Sequence, residues 1–151
     1  MEVFALEGRP NCGKTTTLRI CYQLLINAKY KPVPTFFRDL GNGDFIDVLD
    51  NGIKRIGIVT QGDYVITKNS IANHLFSLDS ANCIQAICAC TTRNPKARRQ
   101  VMTYNPHIFI SKSISSSALQ ELIDNNNDAL ELFNLIWLSI QLYTNTINTS
   151  L

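Results

Sequence analysis

Val3-Phe4-Ala5-Leu6 is a short apolar run that reads as a strand, and the pattern then changes period. From Lys14 to about Ala28 the apolar positions Leu18, Cys21, Tyr22 and Leu25 recur at three- and four-residue spacing, which predicts a helix ended by Lys31-Pro32-Val33-Pro34. Two strand-like runs follow, Phe45 to Asp50 and Ile53 to Thr60, joined by Asn51-Gly52. Asn-Gly between such runs predicts a hairpin with positive φ at both turn residues. The second run ends in Ile56-Gly57-Ile58-Val59, the pattern of a central strand, and is expected beside the first strand. Beyond it the pattern predicts a helix around Ser70 to Leu78 and strands at Ile84 to Ala89 and His107 to Ser111. Thr91 to Asn105 reads as a loop or mobile flap. The last third is helical: Ser117-Ala118-Leu119-Gln120 has capping-box spacing, and a longer segment runs from about Asp128 to Tyr143. Its polar positions Glu131, Asn134 and Gln141 leave most of the circumference apolar. Packing on the sheet is the plain reading, and a homodimer face around Trp137 and Leu138 is the alternative.

This alternation predicts a three-layer α/β domain whose sheet of about five strands is mainly parallel, with one antiparallel hairpin strand. The 151 residues, 45% hydrophobic and 17% charged, suit a single domain spanning 1–151. No apolar run approaches the roughly 18 residues that cross a bilayer, and the chain opens on a strand instead of a leader, so a cytoplasmic, soluble protein with no membrane partner is expected. A net charge of +2 is too small to imply a nucleic-acid partner. The five cysteines show no paired C-x-x-C spacing and read as reduced thiols, with Cys88 and Cys90 filling a buried strand. His74 and His107 read as structural.

The densest chemistry lies between the first strand and the first helix. Gly8-Arg9-Pro10-Asn11-Cys12-Gly13-Lys14-Thr15 fits the spacing G-x-x-x-x-G-K-[ST]. Glycines let backbone wrap around a phosphate, successive N–H groups and the following helix N-terminus supply positive partial charge, and the lysine adds a full one. Gly8, Asn11, Cys12, Gly13, Lys14, Thr15 and Thr16 are the expected nucleotide-binding set, with the Thr15 hydroxyl on a Mg²⁺ ion. Cys12, next to helix N-terminal charge, is a candidate for oxidation.

Leu6-Glu7-Gly8 through Lys14-Thr15-Thr16-Thr17 resembles the P-loop NTPase superfamily, and the acidic residue before the first glycine is similar to thymidylate and deoxynucleoside kinases. The first likeness implies a P-loop fold binding ATP or GTP with Mg²⁺. The second implies that Glu7 is the base taking a proton from an attacking hydroxyl. The Asp-Arg or Glu-Arg pair of those kinases is replaced here by Gln61-Gly62-Asp63. Superfamily members place an acidic residue after a strand beside the P-loop strand to hold Mg²⁺ through water, which singles out Asp63, with a turn residue as the alternative. Gln61 resembles the water-positioning glutamine of GTP-hydrolysing switches. Guanine-specific members carry an Asn-Lys-x-Asp or Thr-Lys-x-Asp element, and Thr67-Lys68-Asn69-Ser70 lacks its aspartate, which favours ATP.

Arg93, Lys96, Arg98 and Arg99 form the densest cationic cluster, and guanidinium groups that close over developing charge assist phosphoryl transfer. Arg98 and Arg99 are therefore catalytic candidates beside Lys14 and Glu7. Arg38 and Asp39 could contact an acceptor or magnesium. Three functions fit: Mg-dependent ATP hydrolysis, phosphorylation of a small molecule or nucleotide, and a nucleotide-gated interaction module without turnover. The short chain leaves little room for an acceptor domain, which favours hydrolysis.

Overall fold

The computed structural model describes residues 1–148, and side chains through residue 142. In chain order the elements are β1 (Glu2–Gly8), α1 (Lys14–Asn27), β2 (Lys31–Pro32), β3 (Arg38–Gly41), β4 (Asp44–Asp50) and β5 (Arg55–Val59). They continue with α2 (Ile71–Ser80), β6 (Gln85–Thr91), α3 (Pro95–Val101), β7 (His107–Ser111) and α4 (Ala118–Asn148).

The fold is α/β with one mixed sheet in the order β2-β4-β5-β6-β1-β7, and β3 also pairs β4. The β5–β6, β6–β1 and β1–β7 pairs are parallel, whereas β4 runs antiparallel to β5, β2 and β3. The seven described strands exceed the expected five because β2 and β3 are short, exposed edge strands without apolar alternation. β5 does not lie beside β1. The fully buried β6 stands between them.

Strand alternation divides the core in two. Phe4, Leu6, Ile58, Ile87 and Ala89 face Leu18, Cys21 and Leu25 of α1 and Ala129, Leu132 and Ile136 of α4. Val3, Ala5, Val59 and Cys88 face Ile71, Leu75 and Leu78 of α2 and Ala97 and Val101 of α3. Gly57 lets α2 approach, since a Cβ there would sit 2.6 Å from Leu78 Cδ2.

The hairpin forms as expected, with a different turn. Only Gly52 has positive φ, at 86°. Asn51 instead accepts the Ile53 and Lys54 amides on Oδ1, at 3.0 and 2.8 Å, and turns the chain with its side chain. The segment expected as a loop, Thr91 to Asn105, contains α3, whose Asn94 cap accepts the Lys96 amide and whose first residue is Pro95. The two C-terminal helical segments are one 31-residue helix. Ser117 Oγ accepts the Gln120 amide as the capping spacing predicts, but the Gln120 side chain turns forward to Asp124. No described helix is long and apolar enough to cross a membrane.

Candidate functional site: a backbone cradle closed by an aspartate

β1 ends at Gly8 and α1 starts at Lys14, so the connecting loop must reverse within five residues. It does so through left-handed backbone at Asn11, φ 57°, and Gly13, φ 87°. Space as well as φ demands the glycines. A Cβ on Gly8 would stand 2.7 Å from Cys12 Sγ and 2.9 Å from Lys112 Cβ, and one on Gly13 would stand 2.5 Å from Asn125 Oδ1. Lys14 is buried and its ammonium donates to the carbonyl oxygens of Gly8 at 3.1 Å and Arg9 at 2.6 Å, spanning the loop. No side chain caps α1, leaving its first-turn amides open to an anion.

The hairpin brings two further side chains to this helix start. Thr15 Oγ1 donates to Asp44 Oδ1 at 2.9 Å, and Thr60 Oγ1 donates to the same oxygen at 2.9 Å while accepting the Phe45 amide. Asp44 opens β4, and Thr60 follows the end of its partner β5. A cleft of about 410 Å³ opens over this group, lined by Asn11, Gly13, Lys14, Thr15 and Thr16 together with Asp44, Thr60 and Asp63. Gly8 and Cys12 do not line it. The acidic group joined to Thr15 is thus Asp44, while Asp63 stands exposed on the rim. Counting the hairpin outward from its turn would have shown this, because Ile46 pairs Val59 and the next two residues outward bring Asp44 to the Thr60-Gln61 end.

Gln61 lines the cleft but is buried, and its Oε1 lies 3.3 Å from His74 Nε2. That oxygen can only accept, so the ring donates from Nε2. Burial holds the His74 pKa below its ordinary value, Arg38 adds to the depression, and the Asn69 backbone and Asp44 oppose it.

Glu7 and Arg98 meet: Arg98 Nη1 donates to Glu7 Oε2 at 2.5 Å, and the guanidinium sits 3.9 Å from the Phe109 ring centroid. Both influence the buried Cys90 thiol, whose pKa is pushed up to about 12, mainly by burial and then by Glu7, with Arg98 and Lys14 opposing. Cys21 and Cys83 are also raised to about 12 by burial, as apolar filler would be, and all five cysteines are free. Arg99 and Lys96 are exposed and do not line the cleft. Arg93 lines a neighbouring cavity of about 390 Å³ with Pro10, Asp63, Thr91 and Asn94. Arg38 and Asp39 do not reach the cleft: Arg38 donates to Ser77 Oγ at 3.1 Å, and Asp39 Oδ1 accepts the Gly41 amide. His107 is tied to the Tyr104 carbonyl.

From below, α4 braces the loop. Thr17 Oγ1 donates to Asn125 Oδ1 at 3.1 Å. The buried Lys112 ammonium meets the buried Asp128 carboxylate at 2.8 Å, and the Lys112 amide donates to the Glu7 carbonyl at 2.7 Å. Asp128 also accepts the Ser113 amide and hydroxyl, so the charge pair is solvated by protein groups. None of these partners carries a local motif; packing of α4 on α1 and pairing of β7 with β1 bring them to the loop. Among the described residues no three His, Cys, Asp or Glu gather as a metal site. Comparison of the chain with protein-family models, curated proteins and solved structures finds no match.

Proposed function

We propose that the 9–13 loop binds the triphosphate of a nucleotide as its magnesium complex, ATP in preference to GTP, and that the chain hydrolyses the γ-phosphate bond. The architecture is then the three-layer fold of the P-loop NTPases. The observation that carries this reading is the convergence of Lys14, Thr15, Asp44 and Thr60 on one polar cleft at the start of an uncapped helix. A hydroxyl and a carboxylate oxygen are hard donors that suit Mg²⁺. With no protein cluster of three metal-binding side chains among the described residues, the ion would arrive with the nucleotide and keep several waters. It would neutralise charge on the outer phosphates.

The remaining chemistry belongs to the chain. Loop amides and the first turn of α1 orient the phosphates. Lys14 exchanges its two carbonyl acceptors for phosphate oxygens. Thr60 holds the Asp44 carboxylate toward Thr15. Gln61, with its oxygen turned to His74, has its amide group left to orient water. Arg98 can reach developing negative charge only by leaving Glu7.

A second reading, phosphorylation of a small acceptor, is favoured by one observation: the cavity at Arg93 adjoins the cleft and shares Asp63 with it. ATP labelled on the γ-phosphate distinguishes the readings in the presence of Mg²⁺ and a metabolite pool. Label released as inorganic phosphate and lost in Lys14→Ala supports hydrolysis, label on a new small molecule supports the kinase reading, and binding without turnover leaves a nucleotide-gated module.

A further inference from the structure

Besides Asp44 and Asp63, the cleft is lined by a third acid, Glu121, in the first turn of α4. It enters from a different side. Asp44 opens β4, whereas α4 follows β7, which pairs β1 on the edge opposite to β6, β5 and β4. Glu121 stands against the turn of the loop, its Oε1 3.1 Å from the point that a Cβ on Gly13 would occupy. Asn125, one turn further along α4, fixes this approach through its bond to Thr17 on α1.

A carboxylate beside a cradle suited to phosphates needs a reason, because like charges at close range repel. Asp44 has one, since the Thr15 and Thr60 hydroxyls donate to it and a metal ion can screen it. Asp63 also lines the cavity that holds Arg93, a cation able to neutralise it. Glu121 has neither kind of support. Among the described residues no hydrogen bond or ion pair engages its side chain, and α4 carries no lysine or arginine. A carboxylate in that position is an acceptor for donors that arrive with the ligand.

Which donors follows from the proposed function, on which this inference rests. Magnesium at Thr15 and Asp44 bridges the outer phosphates. The sugar is joined to the innermost phosphate, at the other end of the chain, so it leaves the loop away from the hairpin and toward α4. We propose that Glu121 accepts the 2′ and 3′ hydroxyls of the ribose and thereby selects ribonucleotides over deoxyribonucleotides. Two O–H donors on adjacent carbons match the two oxygens of one carboxylate, the same pairing by which an acidic side chain holds ribose in dinucleotide-binding folds.

Calorimetric titration in Mg²⁺ with ATP, 2′,3′-dideoxy-ATP and inorganic tripolyphosphate tests the contact on wild type, Glu121→Ala and Lys14→Ala. Wild type should prefer ATP to dideoxy-ATP by about tenfold, the scale of a hydrogen bond to a charged group at an open site. Glu121→Ala should lose that preference by weakening ATP alone, while the other two probes bind as before or slightly better because a repulsive charge is gone. Its circular dichroism should match wild type, since the side chain is exposed. Lys14→Ala should weaken all three probes. Equal binding of ATP and dideoxy-ATP by wild type overturns the ribose contact and leaves the phosphate site standing. A preference that survives in Glu121→Ala, or a loss shared by all three probes in that variant, overturns it as well. Wild type that binds none of the probes overturns the nucleotide reading and the ribose contact together.

Discussion

Thr15 and Asp44 are 29 residues apart and belong to a helix and a hairpin strand, yet the Thr15 hydroxyl donates to Asp44 Oδ1 at 2.9 Å. Replacing Asp44 by Asn keeps the shape and removes the charge. ATP affinity in Mg²⁺ should fall by about tenfold, the scale of losing an outer partner of a bound metal, with little change in EDTA. Calorimetric titration in both buffers checks this, and equal losses in the two would mean that Asp44 only braces the loop.

Lys14→Ala removes the ammonium that bonds the Gly8 and Arg9 carbonyls. Loss of one charge-assisted contact to a phosphate should weaken ATP by about 100-fold. Unchanged affinity in the same titration would rule out the phosphate-binding assignment of the loop.

Gly62 is packed against the end of β6, where an added Cβ would lie 2.1 Å from the Ala89 carbonyl oxygen. Both sides of that contact are backbone, so Gly62→Ala must displace the chain leading from Thr60 to Asp63. The expected cost is about 3 kcal/mol, a melting temperature lower by roughly 6–12 °C. Thermal unfolding followed by circular dichroism measures it.

His74 supplies a pH dependence whose sign follows from burial. Its folded pKa lies below the ordinary 6.5, because desolvation and Arg38 disfavour the imidazolium. The neutral ring's stabilising contribution is therefore fully present above about 6.5 and is lost as pH falls through the folded pKa. Melting temperature should drop between pH 7 and 5, and the drop should be smaller in His74→Gln. A variant with the same pH profile as wild type would assign the dependence to other groups.

Arg98 and Arg99 are neighbours with separate fates. Arg98 pairs with Glu7 over Phe109, while Arg99 is exposed. Arg98→Ala should lower stability by about 1 kcal/mol and slow phosphate release, and Arg99→Ala should leave both near wild type. Denaturant titration and a phosphate-release assay on each variant separate the two residues.

The loop from Gly8 to Thr15 was legible because its signature is local: two glycines, a lysine and a threonine at fixed spacing between a strand and a helix. The β4–β5 pair was legible from Asn51-Gly52, although the Asn51 side chain makes a turn that the dipeptide rule assigns to backbone. Asp44 was hidden because its partner Thr15 lies in another element, and the polar β3 edge before it carries no apolar signal. α3 had a legible start in Asn94-Pro95, masked by the cationic residues around it. The longer C-terminal segment was expected only from about Asp128, after the run Asn125-Asn126-Asn127. Asn125 is instead buried and bonded to Thr17, so tertiary contact carries the helix through a locally weak stretch.

The hairpin turn at Asn51 to Lys54 lies about 20 Å from Asp44 along a seven-residue strand. Because side chains alternate, a one-residue slip at the turn would rotate Asp44 to the opposite face and replace it beside Thr15 with an apolar or glycine neighbour. The turn thus serves as a ruler for a carboxylate it never touches, so insertions in this distant loop should silence the cleft while leaving every residue that lines it unchanged.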